Sequence, residues 1–137
     1  MTNPATNAEP HQRSAIDWVL VGFVTVVAFG LGILEVLLVP LYAGTVLIPI
    51  SVLIGVLGNV VLPYLGFSTV RVPAGALLPL AGWIVPVLGL VMVAPPDGDV
   101  LVPAGGGPEY VYYALVLLGG AAGVTTFVRS AGAVRVR

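Results

Sequence analysis

The chain has 137 residues, of which 58% are hydrophobic and 8% are charged, and its mean hydropathy is +1.10. A soluble domain usually has about a quarter of its residues charged, so this composition predicts a protein whose solvent is the lipid bilayer. The net charge of −1 excludes a basic nucleic-acid-binding face, and zero cysteines exclude disulfides, thiolate metal sites and cysteine nucleophiles. The single histidine, His11, is too few for a metal cluster, so we predict no metal and no cofactor.

Residues 1–15 are polar and rich in proline and asparagine, which predicts a disordered cytoplasmic tail. The first apolar run covers residues 17–39, and the stretch between Asp17 and Pro40 is about 22 residues, enough for one helix across a bilayer core of roughly 30 Å. Asp17 complements the dipole of the first turn, Trp18 suits the headgroup layer and Pro40 ends the helix. The run is too long for the apolar part of a signal peptide, so we predict an uncleaved span.

Three further apolar runs predict spans over residues 45–66, 75–94 and 109–128. The turn at residues 40–44 is short, which predicts that the first two spans form a tight helical hairpin. Residues 67–74 form a brief loop, and residues 95–108 form one long acidic connection. Within that connection, residues 99–102 predict a short extended segment.

The arginines predict the orientation of the spans. All basic residues are arginine, and all fall at one end of a four-span arrangement: Arg13, Arg71, Arg129, Arg135 and Arg137. The opposite end has no basic residue, so the positive-inside rule predicts that both termini and the loop with Arg71 lie in the cytoplasm. The fold class predicted is an all-α membrane protein with four transmembrane helices in an antiparallel bundle over residues 16–129, followed by a cytoplasmic tail over residues 130–137.

Aromatic residues fall at both predicted boundaries, as they do in interfacial belts. The inner set is Trp18, Tyr64, Phe67 and Phe127, and the outer set is Tyr42, Tyr110, Tyr112 and Tyr113. The belts agree with the arginine placement and add no chemistry of their own.

Glu35 is the one formal charge in the middle of the first apolar run. An intramembrane carboxyl is by default a functional-site hypothesis. Its position five residues before Pro40 predicts a depth of only about 7 Å below the outer boundary. The partners expected there are the headgroup interface or the side chains of Thr45, Tyr42, Tyr112 and Tyr113. Two interpretations stay open: a structural hydrogen-bonding carboxyl, which is favoured, and a proton-coupled or ligand-binding group.

Two further polar residues, Ser51 and Asn59, lie in the second span. Asn59 is predicted about 10 Å inside the membrane from the arginine side and on the order of 13 Å from Glu35 in depth. A direct pair is therefore not expected, and a polar path would need Ser51 as an intermediate. The favoured role of Asn59 is a hydrogen bond between helices.

Small residues and prolines recur within the predicted spans. Glycines that predict helix packing are Gly119 with Gly123, Gly55 with Gly58, Gly30 with Gly32, and Gly82 with Gly89. Those of the fourth span serve equally well to close the bundle or to bind a partner. The prolines expected inside spans are Pro49, Pro63, Pro79 and Pro86, which predict kinks and exposed backbone carbonyls of the kind transporters use.

The segments PLYAGTVLIPISVLIGVLGN, LPLAGWIVPVLGL and GDVLVPAGGGPEYVYYALVLLGG resemble small, uncharacterised four-span membrane proteins of actinobacteria. The resemblance covers most of residues 20–125 and implies a plasma-membrane protein, with no site residues to carry over. Glu35 is also similar in kind to the membrane-embedded glutamate in the first span of small multidrug-resistance exporters. The chain departs from them in the predicted depth of Glu35 and in its strong arginine bias.

The leading functional hypothesis is a non-enzymatic accessory or scaffold subunit of a membrane assembly. It rests on glycine-rich packing surfaces and on the scarcity of ionisable groups in the spans. The alternative is a small-solute transporter or channel that uses Glu35. The expected partners are the lipid bilayer and either a membrane protein or a second copy of the chain, and no nucleic acid. An integral-membrane enzyme ranks last, because no nucleophile–base or metal-ligand set is present.

Overall fold

The computed structural model describes residues 14–93, 101–102 and 104–135, and for Arg135 the backbone alone. Within these residues, four long helices pack against one another, which confirms the predicted all-α four-helix bundle. Each of the four is long and apolar enough to cross a membrane. The predictions for His11, Arg13, Arg137, most of the 1–15 tail and residues 95–100 of the acidic connection lie outside the described residues.

Helix α1 spans Ala15–Leu37 and begins with a capping box. The Ser14 hydroxyl accepts a hydrogen bond from the Ile16 amide at 3.2 Å, and the Asp17 carboxylate accepts one from the Ser14 amide at 2.9 Å. These two bonds satisfy backbone donors that the first helical turn would otherwise leave unpaired. The helix therefore starts slightly before the predicted residue 17 and ends before the predicted residue 39.

The connection after α1 differs from the predicted 40–44 turn. Strand β1 (Tyr42–Ala43) pairs antiparallel with strand β2 (Val46–Leu47), and Thr45 lies in the exposed turn between them. Helix α2 begins only at Ile50, with Pro49 as its N-cap residue. The prediction of a helix from residue 45 with Pro49 inside it is therefore wrong. Pro49 stands at the start of α2, where its missing amide hydrogen removes no helical hydrogen bond.

Helix α2 (Ile50–Val70) and helix α3 (Pro73–Met92) meet in a two-residue turn, where a loop over residues 67–74 was predicted. Arg71 ends α2 in the left-handed conformation with φ 52°, and its amide donates to the Phe67 carbonyl at 2.7 Å. Pro73 opens α3 at a position where its fixed φ suits the first helical turn. The two helices therefore leave this turn in direct contact.

The fourth helix is a continuous rod with a wide turn inside it. Helix α4 (Gly107–Ala114) leads into a π-helical turn (Leu115–Gly119) and then into helix α5 (Gly120–Arg135). The rod runs past the predicted end at residue 128, so most of the predicted 130–137 tail is helical. Of the predicted extended segment, residues 101–102 are described and form bends.

Helices α2 and α3 each contact both α1 and the fourth helix. The buried core of the bundle is built from Ala28, Val36, Val39, Leu80, Trp83, Val87, Val111, Tyr112 and Leu115. Tyr112 was predicted in the outer aromatic belt, but it lies buried and its hydroxyl donates to the Val87 carbonyl at 2.9 Å. Leucine, valine and isoleucine side chains stay exposed along the outer faces of the helices, as contact with lipid requires.

Two glycines allow the closest approach between helices. A Cβ atom built on Gly66 of α2 would collide with the carbonyl oxygen of Gly75 in α3, and one built on Gly75 would collide with the carbonyl of Gly66. Both colliding atoms are backbone, so neither can move without shifting a helix. Gly89, on the same helix as Gly75, has open space where its Cβ would be.

We therefore expect Gly66→Ala to destabilise the bundle and Gly89→Ala to leave it unchanged or slightly more stable. Alanine gains up to about 1 kcal/mol over glycine in a helix interior, and only at Gly66 must the helices separate to admit it. Thermal unfolding of the two variants in the same detergent measures the difference. A transition temperature for Gly66→Ala at or above that of Gly89→Ala would contradict the close contact.

Candidate functional site in the bundle interior

The site is centred on Glu35, which is 0% exposed near the end of α1. The predicted depth took account of the helical rise alone. The Cα–Cβ bond in a helix tilts toward the N-terminus, so the Glu35 side chain points back along α1, away from its nearer end. The carboxyl group therefore lies deeper in the bundle than the predicted position near the outer boundary.

Trp83 is the hydrogen-bond partner of this carboxyl. It lies in the middle of α3, and its indole Nε1 donates to Glu35 Oε2 at 2.6 Å. Both side chains are buried, with Trp83 2% exposed. The predicted partners Thr45, Tyr42, Tyr112 and Tyr113 are wrong, because the side chain faces α3 and not the hairpin or the headgroups.

Helix α2 makes room for the carboxyl with two glycines. A Cβ on Gly55 would lie 3.1 Å from Glu35 Oε2 and would collide with the Leu115 side chain. A Cβ on Gly58 would lie 3.9 Å from Glu35 Oε1 and 2.5 Å from Leu31. Both predicted packing glycines of α2 therefore face the interior, where a larger residue would displace Glu35 or its neighbours.

Asn59 lies within one turn of these glycines and is 2% exposed. Its Nδ2 donates to the Gly55 carbonyl at 3.0 Å. Since Glu35 packs beside Gly55 and Gly58, it is at the level of the turn that carries Asn59. The predicted depth separation on the order of 13 Å is therefore too large. The hydrogen bond of Asn59 is to its own helix and not to a neighbouring one.

The fourth helix closes the site with its small residues. A Cβ on Gly119 would lie 3.0 Å from Trp83 Cζ2, and a Cβ on Gly123 would lie 3.3 Å from Asn59 Oδ1. Both glycines pack inside the bundle, where the sequence left bundle closure and partner binding equally open.

Four of the buried residues of the fourth helix are spaced four positions apart. They are Val111, Leu115, Gly119 and Gly123. An ordinary helix with 3.6 residues per turn would rotate this set away from one face. The wider π turn offsets that rotation, so all four positions stay on the side that faces the site.

Two buried polar atoms in this region have no hydrogen-bond partner among the described residues: Glu35 Oε1 and Ser51 Oγ. Ser51 lies one turn before Gly55 on the same buried face of α2. Burying a polar atom without a hydrogen bond costs free energy. A proton or a bound polar group that pairs with either of these two atoms would therefore be stabilised there. Trp83 fixes Oε2, which leaves Oε1 as the free atom of the carboxyl.

Of the four polar candidates, the structure brings Glu35 and Asn59 to one level of the bundle and places Ser51 one turn away. Thr45 is in the exposed hairpin turn and takes no part. Sequence reasoning missed Trp83 as a site residue, although a signal was available. A buried indole needs an acceptor for its N–H, and Glu35 was the only carboxyl in the spans able to supply one from another helix.

Among the described residues, no group of three or more histidine, cysteine, aspartate or glutamate side chains could hold a metal ion. The site is therefore one carboxyl, one indole, one amide and one hydroxyl in apolar surroundings. Such a set can bind and release a proton or hold a small polar or cationic group.

The bond between Glu35 and Trp83 can be measured with a double-mutant cycle. We expect Trp83→Phe to lower the free energy of unfolding by about 1–3 kcal/mol, because it leaves both carboxyl oxygens buried without a donor. In a Glu35→Leu background the same change should cost much less, since no carboxyl remains. Reversible unfolding in mixed micelles gives the four free energies.

The matched control is Trp18→Phe, because Trp18 is 40% exposed at the start of α1. It should change the free energy of unfolding by no more than about 0.5 kcal/mol. Equal costs of Trp83→Phe with and without Glu35 would mean that the pair contributes no interaction energy.

Comparison with protein-family models, with curated proteins and with solved structures finds no match for this chain. The chemistry of the interior site is therefore the ground for a functional inference.

Proposed function

We propose that this chain is a small multi-pass transport protein in which Glu35 binds and releases a proton as a small solute crosses the membrane. The observation that carries the proposal is the Glu35 carboxyl, fully buried, with Oε2 held by Trp83 and Oε1 without a partner among the described residues. Intramembrane carboxyls that face a bundle interior mark proton relays and substrate paths.

A purely structural carboxyl would be expected to have both oxygens satisfied. Burying a carboxyl away from water inside a membrane bundle costs free energy, and one indole hydrogen bond offsets only part of that cost. A glutamine or a leucine would fill the same space at lower cost. The retained carboxyl and its free oxygen therefore favour a role in binding over a role in packing alone.

The roles of the surrounding groups follow from their positions. Trp83 orients the carboxyl by donating to Oε2, so a proton that arrives is taken by Oε1. Ser51, on the same face of α2 toward its N-terminal end, offers the next polar atom along the bundle. Leu31 and Leu115 close the remaining sides with apolar groups that exclude water.

Opening of the site would use the breaks in the helices. Pro63 interrupts the hydrogen-bond ladder of α2, and Pro79 and Pro86 interrupt that of α3 on both sides of Trp83. The π turn does the same in the fourth helix. Helices with such breaks bend at defined points, as transport by alternating access needs.

We expect Glu35→Gln to abolish proton-linked transport while the bundle stays folded, because glutamine keeps the shape and the acceptor for Trp83 but cannot release a proton. The assay uses purified protein in liposomes that contain a pH-sensitive dye, with tetraphenylphosphonium as the cationic probe and an imposed pH gradient. Wild-type liposomes should exchange the probe for protons.

The matched control is Glu109→Gln, since Glu109 lies at the start of the fourth helix and bonds to the Gly105 amide and the Tyr113 hydroxyl. It should transport like wild type. Identical probe-driven proton movement in the wild type and in Glu35→Gln would show that the Glu35 carboxyl takes no part in proton-linked transport.

A second candidate is a non-enzymatic accessory or scaffold subunit of a membrane assembly. The observation that favours it is the tight closure of the site, where a methyl group on Gly55 or Gly58 would have to displace the side chain of Leu115 or Leu31. In that role Glu35 and Trp83 would only tie α1 to α3. Wild-type liposomes that behave as protein-free liposomes, together with recovery of a stable partner in mild detergent, would favour this candidate.

The proposed location is the plasma membrane with both termini in the cytoplasm. Arg71 and Arg129 support it, because they line adjoining hollows and so lie at the same end of the bundle. The positive-inside rule assigns such an end to the cytoplasm. Membership of the small four-span actinobacterial proteins remains part of the same proposal.

The orientation can be tested with single cysteines, because the chain has none of its own. Ala74 in the first turn of α3 and Ala43 in β1 are both exposed, at opposite ends of the bundle. In intact cells we expect a membrane-impermeant maleimide to label Ala43→Cys and to label Ala74→Cys only after lysis. The reverse pattern would invert the proposed orientation.

A further inference from the structure

The arginine end of the bundle carries a groove between α2 and α5 that the interior site does not use. It consists of two adjoining hollows of about 290 and about 310 Å³, which share Tyr64, Phe67 and Ala133 as lining residues. Arg71 lines the first hollow and Arg129 the second. We infer that this groove is a binding site for an anionic phospholipid, with its phosphate between the two arginines.

The groove is apolar in one part and positively charged in another, which matches a lipid with an apolar chain and an anionic headgroup. Val60 presents an apolar side chain on the α2 side, nearer the middle of the bundle, and Phe67 adds a second, one turn before Arg71. Arg71 lies at the very end of α2, and Arg129 and Ser130 lie on the facing part of α5. An acyl chain fits the apolar part while the headgroup reaches the charged part.

The charge of the groove is not neutralised by the carboxylates of the described residues. Asp17 accepts its hydrogen bond from Ser14, and Glu35 accepts its bond from Trp83. Glu109 accepts from Gly105 and Tyr113, so none of the three carboxylates bonds to an arginine. Arg71 and Arg129 are both exposed, so their guanidinium groups are accessible to a phosphate. Guanidinium groups bind phosphate oxygens in pairs of hydrogen bonds, which makes arginine well suited to this headgroup.

The depth of the groove favours a lipid over a soluble anion. Tyr64 is 59% exposed, and it lies less than two turns from the end of α2, at the level that aromatic residues occupy near headgroups. A ligand that enters here comes from the leaflet beside the helices. Basic pockets between membrane helices bind anionic headgroups in this manner.

The test is native mass spectrometry of the purified full chain, titrated with phosphatidylglycerol or with phosphatidylcholine of the same acyl chains. We expect wild-type protein to bind phosphatidylglycerol more tightly. The double variant Arg71→Gln/Arg129→Gln should lose that preference by roughly fivefold for each arginine, the equivalent of about 1 kcal/mol per charge. Arg71→Lys/Arg129→Lys should keep most of the preference, since the charge remains.

A second pair of variants tests the groove itself without changing its charge. Ala133→Trp fills the space that both hollows share, while Ala121→Trp places the same side chain on an exposed position of α5 that lines neither hollow. Ala133→Trp should abolish the binding of phosphatidylglycerol, and Ala121→Trp should bind this lipid as tightly as the wild type does. Helical content from circular dichroism confirms that each variant is folded.

Three outcomes would overturn the inference. Equal binding of the two lipids by the wild type would exclude recognition of the headgroup charge. An unchanged preference in Arg71→Gln/Arg129→Gln would place the site elsewhere. Equally tight binding of glycerol phosphate, which has the headgroup chemistry without acyl chains, would make the groove a site for a soluble phosphate compound.

Discussion

The constraint on which the rest of the structure depends is the burial of one carboxyl in an apolar bundle. Water is not available to Glu35, so its partners must come from other helices. Trp83 of α3 supplies the one donor, at 2.6 Å. To bring these two side chains together, α2 must present glycines and the fourth helix must keep small residues on one face. The contacts around the carboxyl thus involve every helix of the bundle.

The four-helix fold followed from hydropathy because burying apolar surface in lipid depends on length and composition alone. Helix ends were less predictable, since they depend on local hydrogen bonds. Thr45 lies in the turn of a β-hairpin and Arg71 adopts a left-handed conformation at the end of α2, and an apolar pattern predicts neither. Pro49 did carry a usable signal, because proline is favoured at the start of a helix and disfavoured in its interior.

The site was predicted in part. Glu35 and Asn59 were identified because polar residues in apolar runs are conspicuous, but their separation was not, because the rise along a helix ignores the direction of its side chains. The Glu35 carboxyl points back along α1 and meets the middle of α3. The partner was missed because Trp83 looks like any aromatic residue until its N–H is considered together with the acceptors that other helices offer.

The burial of Glu35 also bears on the two interpretations that the sequence left open for it, a structural carboxyl and a proton-coupled or ligand-binding group. Near a headgroup boundary, a carboxyl is hydrated and needs no function to explain it. In the bundle interior, Oε1 has no partner among the described residues. Burying the same group there lowers the stability of the fold, and packing alone does not offset that loss. The arginine groove runs along the last part of α2, from Val60 to Arg71, so a lipid bound there would contact the same helix whose glycines pack beside the Glu35 carboxyl. A single helix, α2, therefore links the interior carboxyl to the membrane surface.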